Sequence, residues 1–126
     1  MKVSNVSNLV RQYFTAYETK NKKTLDVLLS ENFQFNSPVD DHINKKAYLQ
    51  RCWPSSKHIQ AYDIQNLLAD GNEAVIRYEC WLKSGTSYRN MEYFKIVGDK
   101  IEEIDVYFGY DLRKEFFSSA EGGNDG

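Results

Sequence analysis

Between residues 58 and 108 the chain alternates apolar and polar side chains through four segments separated only by short turns. The segments run roughly over 58–69, 73–83, 88–97 and 100–108. Asp70-Gly71-Asn72 is a strong hairpin signal, and Ser84-Gly85-Thr86-Ser87 and Gly98-Asp99 supply the next two turns. Parallel neighbours need a crossover of roughly a dozen residues or more, so connections this short predict an antiparallel meander.

The first half has a different period. Val6, Leu9, Val10, Tyr13, Phe14 and Tyr17 form one apolar face at helical spacing. Ser4 or Asn5 is placed to cap this helix at its start, and Asn21 with Lys20, Lys22 and Lys23 to mark its end. A second, short helix is expected around Leu25, Leu28 and Leu29. Phe33 and Phe35 alternate with polar neighbours as in a strand that Pro38 stops, with Ser37 held extended before it. Residues 39–43 read as a polar loop. Asn44 can cap a third helix carrying Ala47, Tyr48, Leu49, Cys52 and Trp53, which Pro54 ends. Asp111 can cap a last short helix with Leu112 and Phe116, and the glycine-rich stretch 121–126 is expected to be a disordered tail. Helices followed by a meander make an α+β domain over residues 1–120, three N-terminal helices packed into a curved antiparallel sheet. A chain of 126 residues can bury one core without staples.

Composition narrows the function classes. Sixteen basic and 18 acidic residues give a formal charge of −2, which offers nucleic acid no electrostatic footprint. No apolar run is long enough to span a bilayer, no basic amphipathic stripe suggests a membrane surface, and residues 1–30 carry no signal-peptide pattern. Only Cys52 and Cys80 are present, and both are read as free thiols of a cytoplasmic protein. His42 and His58 stand apart from any ligand cluster, so no metal is expected, and with no G-x-G-x-x-G or P-loop pattern no cofactor is expected either. Nine tyrosines and seven phenylalanines can build a wall that is apolar in body and polar at its tips.

Alternation sorts the side chains by face. Ile76, Tyr78, Cys80 and Leu82 share one face, with Arg77, Glu79 and Trp81 on the other. Ile104, Val106 and Phe108 are apolar partners, while Glu103, Asp105 and Tyr107 point away. Asn90, Glu92, Phe94 and Ile96 fall together, which puts Glu92 on the concave, mostly apolar face. Burial there disfavours the carboxylate and raises its pKa. A solvated position at a sheet edge, or a bulge that reverses the parity, is the competing reading.

Three stretches carry a resemblance. They are residues 9–17 running into 25–33, Phe35-Asn36-Ser37-Pro38, and residues 98–108 with the short helix expected after them. Together they resemble the NTF2-like superfamily in its SnoaL-like and ketosteroid-isomerase-like branch. That resemblance implies a cone-shaped fold with a pocket between helices and sheet. It also implies a functional set: an aspartate base before the proline, a helix tyrosine, and a protonated strand aspartate. Counting back from Pro38, Tyr13 matches the tyrosine; Glu92 falls at or near the strand aspartate with one gap. Ser37 occupies the base position, and a serine without a neighbouring base cannot take a carbon-bound proton. Asp40 and Asp41 lie close by in the polar loop.

The candidate catalytic pair is therefore Tyr13 and Glu92. Phe14, Tyr17, Phe35, Ser37, Trp53, Tyr78, Phe94, Val106 and Phe108 are the candidate ligand-binding residues. Two functions remain open. One is binding of a small, mostly apolar, oxygen-bearing ligand, with any reaction isomerase-like or cyclase-like and cofactor-independent. The other is a non-catalytic module that homodimerises or docks a protein through Trp81, Tyr93 and Tyr107 on the convex sheet face. Tyr13 as plain core packing and Trp53 as a plain helix anchor stand beside their functional readings.

Overall fold

A computed structural model describes residues 3–111 of the chain. Helix α1 (Val3–Thr19) is followed by α2 (Lys22–Leu28), β1 (Leu29–Asn36), the two-residue β2 (Ile43–Asn44) and α3 (Lys45–Arg51). A 3-10 helix (Trp53–His58) leads into β3 (Ile59–Asp70), β4 (Glu73–Leu82), β5 (Ser87–Val97) and β6 (Lys100–Asp111).

The meander from β3 to β6 is antiparallel throughout, with turns at the three predicted places. The full sheet is nevertheless mixed. Its order is β2-β1-β6-β5-β4-β3, and β1 runs parallel to β6. A wholly antiparallel sheet is thus corrected: β1 and β6 are far enough apart in sequence for their link to hold most of the domain, which satisfies the crossover requirement. The helices do not all precede the sheet either, because α3 follows β1 and β2. The sheet is curved and not closed. Register shifts in β3 near Ala61 and Asn66, and between β5 and β6, supply bulges that bend it. At Gly109 a Cβ would come within 2.6 Å of the Arg89 carbonyl oxygen, so this crossing needs glycine.

Helix α1 lays its apolar face into the curve: Val6, Val10, Phe14 and Tyr17 are buried with Phe94, Ile96 and Ile104 of the sheet. The helix begins at Val3, so Ser4 and Asn5 lie inside its first turn and not ahead of it. Lys20 turns the chain with φ 60° and donates from Nζ to the carbonyl oxygens of Tyr17, Glu18 and Ile59. A cation therefore does close the helix C-terminus. Asn21 instead opens α2, accepting from the Thr24 N–H. Leu29 belongs to β1, leaving Leu25 and Leu28 as the buried residues of α2. Asn44 caps α3 as expected, accepting from the Ala47 N–H at 2.9 Å. Helix α3 stops at Arg51, and Trp53 and Pro54 start the 3-10 turn, where proline's missing N–H costs nothing. Strand β6 runs on through Asp111, which pairs with Tyr88. The expected helix at Leu112 and Phe116 and the tail 121–126 lie outside the described residues.

Candidate functional site

A cavity of about 350 Å³ opens between α1, α3 and the concave face of the sheet. Six tyrosines line it among the described residues: Tyr13, Tyr17, Tyr48, Tyr62, Tyr78 and Tyr88. Their rings make an apolar wall, and the hydroxyls of Tyr13, Tyr17, Tyr48 and Tyr78 enter two polar groups on it.

The first group centres on Glu92. Strict alternation along β5 points Glu92 inward with Asn90, Phe94 and Ile96, and it is only 6% exposed. Its Oε2 accepts from the Tyr78 hydroxyl at 2.5 Å, and the Tyr78 oxygen accepts from Asn90 Nδ2 at 3.2 Å. Asn90 is itself held, its Oδ1 accepting from the Gly109 N–H at 3.3 Å. Glu92 Oε1 is buried and has no hydrogen-bond partner among the described residues. Burial raises the Glu92 pKa to about 7, against the lowering effect of the Tyr78 bond. Burial, then the charge of Glu92, holds the Tyr78 phenol well above its ordinary value, so it remains a donor.

The second group is built by two helices. Tyr13 and Tyr17 lie one turn apart on α1, and both hydroxyls meet that of Tyr48 on α3. Three hydroxyls carry three protons, and two bonds among them use two. One proton is therefore left for an acceptor outside the trio. Phe33 and Phe35 pack against the Tyr48 ring and fix its position. Burial raises the pKa of all three phenols, so the trio is neutral at physiological pH.

The rim is more polar. Ser37 and Asp40 line it from the loop after β1, and Arg51 from the end of α3. The Ser37 Oγ accepts from the N–H groups of Val39 and Asp40, and the Ser37 N–H donates to the Asp40 carbonyl at 2.9 Å. This is a local turn of the kind serine makes beside proline. Arg51 Nη1 donates to Asp40 Oδ1 at 2.9 Å. Asp41, by contrast, faces solvent and pairs with His42. Cys52 lines the cavity as well, and burial pushes its thiol up to about 12, which removes it as a nucleophile.

Of the residues named from sequence, the structure brings Tyr13, Tyr17 and Glu92 to the cavity together with Phe35, Ser37, Tyr78, Val106 and Phe108. Phe14, Phe94 and Trp53 do not line it, a correction to the expected wall. Phe14 lies one layer deeper, ring to ring with Tyr62, Tyr78 and Phe94. Phe94 is fully buried beneath Tyr13, and Trp53 packs behind Tyr17 at 5.0 Å as an anchor. Sequence reasoning passed over Tyr48, Tyr62, Asn90 and the Asp40–Arg51 pair as site residues. Asn90 shares the parity of Glu92 and was within reach of the same rule; Tyr48 sits on a helix too short to show its face. Arg77 and Asp105 point away from the cavity, as alternation requires. Among the described residues no three His, Cys, Asp or Glu side chains converge as a metal site would require.

A family model for the SnoaL-like domain matches residues 10–104. No curated protein matches the sequence. Among solved structures, an NTF2-like protein of unknown function from Cytophaga hutchinsonii superposes with a TM-score of 0.70. It is 22% identical over 82% of this chain and 89% of that one. A candidate ketosteroid isomerase from Kribbella flavida gives a TM-score of 0.74 at 17% identity, covering 85% of this chain and 79% of its own. A de novo designed protein with a curved β-sheet gives 0.76 at 13% identity, over 86% and 88% of the two chains. A designed scaffold this similar makes plain that such likenesses speak for the fold alone.

Proposed function

Because the chain belongs to the SnoaL-like domain family, we propose that its cavity binds a small, mostly apolar ligand through an oxygen atom. The observation that carries this reading is Glu92 Oε1, a buried carboxyl oxygen on the cavity wall with no partner of its own among the described residues. A buried polar atom left unpaired is costly, and a ligand group that pairs it recovers the cost. Below about pH 7 the carboxyl is protonated and can donate from Oε1 while Oε2 keeps its bond from Tyr78. The spare proton of the tyrosine trio offers a second donor. The volume of about 350 Å³ lies near the lower end for ligand pockets, which suits one or two rings better than a large polycycle.

Two donors converging on an oxygen would stabilise negative charge developing there, as when a carbonyl becomes an enolate. If the pocket catalyses, an isomerase-like or cyclase-like reaction without a cofactor fits such a wall; the similar structure from Kribbella flavida is described as a candidate isomerase. Ser37 supplies no base at the position before the proline, and its hydroxyl oxygen accepts two turn N–H groups. A small-molecule screen read by NMR tests the proposal. Tyr13→Phe and Glu92→Gln should each weaken every oxygen-bearing hit; unchanged affinity in both variants would refute it.

A second reading rests on a different surface. Trp81 is 41% exposed and Tyr107 62% exposed on the convex face, where Met91 lies between Arg77 and Tyr107 in register. Tyr93 on that face is partly covered and donates to Glu73. A homodimer through this face would bury these rings, and the cytoplasm suits the two free thiols. Light scattering at about 50 μM, where a modest interface is populated, should report a dimer that Trp81→Ala weakens. A monomer at that concentration would dispose of this reading.

A further inference from the structure

We propose that the ligand is an acid whose carboxylate sits at the rim and is read by Arg51, a specificity determinant of the site. The inference rests on the ligand-binding reading above and extends it from an oxygen at the inner end to the charge at the outer end.

Three charged side chains line the cavity among the described residues: Glu92 inside, and Asp40 and Arg51 at the rim. Arg51 is the single cation of that lining. A guanidinium presents five N–H donors in a planar fork that matches a carboxylate. Asp40 takes one of them, at Nη1, and the others have no partner among the described residues. The pair is asymmetric in its exposure. The Arg51 side chain is 59% exposed and that of Asp40 only 22%. Asp40 is also fixed at its backbone, because the Ser37 turn bonds both its N–H and its carbonyl oxygen. The acidic partner is thus the rigid one, and it orients the guanidinium while leaving most of the fork open. Ser37 and Asp40 act as positioning residues in this arrangement, and Arg51 is the group that touches the ligand.

The placement favours a monoanion. A carboxylate at the rim keeps part of its hydration, so the cost of binding its charge is small. A dianion such as a phosphate monoester would meet Asp40 as well and be repelled. The interior offers a full negative charge no cation: it holds tyrosines and a carboxyl that is itself neutral below about pH 7. The ligand class is therefore a cyclic or aryl acid with a carbonyl or hydroxyl oxygen set several bonds away from its carboxylate.

Three probes separate the two ends: 4-oxo-4-phenylbutanoate, its methyl ester, and 4-phenylbutanoate, which lacks the ketone. Affinities are measured by NMR titration at pH 6.5 on the wild type, Arg51→Gln and Arg51→Lys, with circular dichroism as the folding control. The keto acid should bind about tenfold tighter than its ester, the scale of one partly solvated charge-assisted contact. Arg51→Gln should bring the acid down to the ester and leave the ester unchanged. Arg51→Lys should restore part of the preference. An acid-to-ester ratio near one in the wild type, or a ratio that survives Arg51→Gln, would overturn the assignment. If the ratio holds while 4-phenylbutanoate binds as tightly as the keto acid, the rim assignment stands and the inner-oxygen reading falls. No binding of any probe at millimolar concentration would overturn both.

Discussion

The inner end of the cavity and its rim each hold one carboxyl group, and the two obey different rules. Glu92 is buried on a sheet face, hydrogen-bonded at one oxygen and bare at the other. Asp40 sits on a loop, paired with a half-solvated arginine. Water can reach the rim, so its charges are cheap to hold and weak in effect. Glu92 is buried inside, so protonation, hydrogen bonding and unpaired atoms all become expensive there. The same functional group is a sensor of pH in one place and a positioner of its neighbour in the other.

The sharpest way to break this contrast is to titrate stability. The Glu92 pKa is raised from 4.5 to about 7 on folding, so the native state holds the proton more tightly than the unfolded chain. Where the native state binds more protons, stability falls as pH rises. The contribution of Glu92 should be constant below about pH 4.5, decline between there and pH 7, and level off above. The loss amounts to roughly 3 kcal/mol, because each pH unit between the unfolded and folded values is worth about 1.4 kcal/mol. Urea unfolding at pH 5 and pH 8 should show it, and Glu92→Gln should remove most of the difference. A wild type as stable at pH 8 as at pH 5 would mean that Glu92 is solvated, and the contrast with the rim would disappear.

The tyrosine trio should give the next largest effect. Tyr48→Phe removes the hydroxyl that both Tyr13 and Tyr17 bond, leaving two hydroxyls at the cavity wall without their partner. The cost should be about 2 kcal/mol, one unsatisfied buried group or a little more, since cavity water can serve one of them. Tyr17→Phe leaves Tyr13 and Tyr48 paired and should cost less than half as much. Equal costs for the two variants would show that Tyr48 is not the hub.

Much of this site could be read from residue spacing, and the parts that could not share a cause. Period-2 alternation placed Glu92 and Tyr78 on one face because β4 and β5 pair without a bulge between Glu73 and Trp81. Helical spacing placed Tyr13 and Tyr17 for the same reason of strict local geometry. Alternation reports which face a side chain takes and nothing about how deep it lies. Phe14 and Phe94 therefore came out as wall when they are the layer beneath it. Contacts between distant segments left no local mark. The parallel pairing of β1 with β6, the meeting of Tyr48 with α1, and the Asp40–Arg51 pair all join such segments.

Tyr78→Phe probes the inner end more gently. The Tyr78 hydroxyl lowers the Glu92 pKa by bonding its charged form, so its removal should move the Glu92 titration above its present value of about 7. Side-chain carboxyl NMR would follow the change. Stability at pH 5 should fall by only about 1 kcal/mol, since the neutral carboxyl depends less on that bond. A titration that moves down would place the dominant influence on Glu92 elsewhere than Tyr78.

The rim should respond least, and its small response is what distinguishes it. Arg51→Ala and Asp40→Asn each remove an ion pair in which the guanidinium is largely solvated, so each should cost no more than about 0.5 kcal/mol. The double variant should cost little more than either single one, because the two side chains depend on each other. Salt should erase even this difference, since screening is strong for exposed charges. The inner-end titration should persist at the same salt concentration, as burial shields Glu92 from counterions. Ser37→Ala makes the last distinction. It deletes the acceptor of two turn N–H groups on an exposed loop, where water can replace it, so stability should hardly move. Asp40 would then keep the backbone bond at its carbonyl oxygen but lose the one at its N–H, and the preference for the keto acid over its ester should shrink while affinity for the ester holds. A Ser37→Ala protein with that preference intact would show that Arg51 orients itself without the turn, and would reduce the rim to a cation on a helix end.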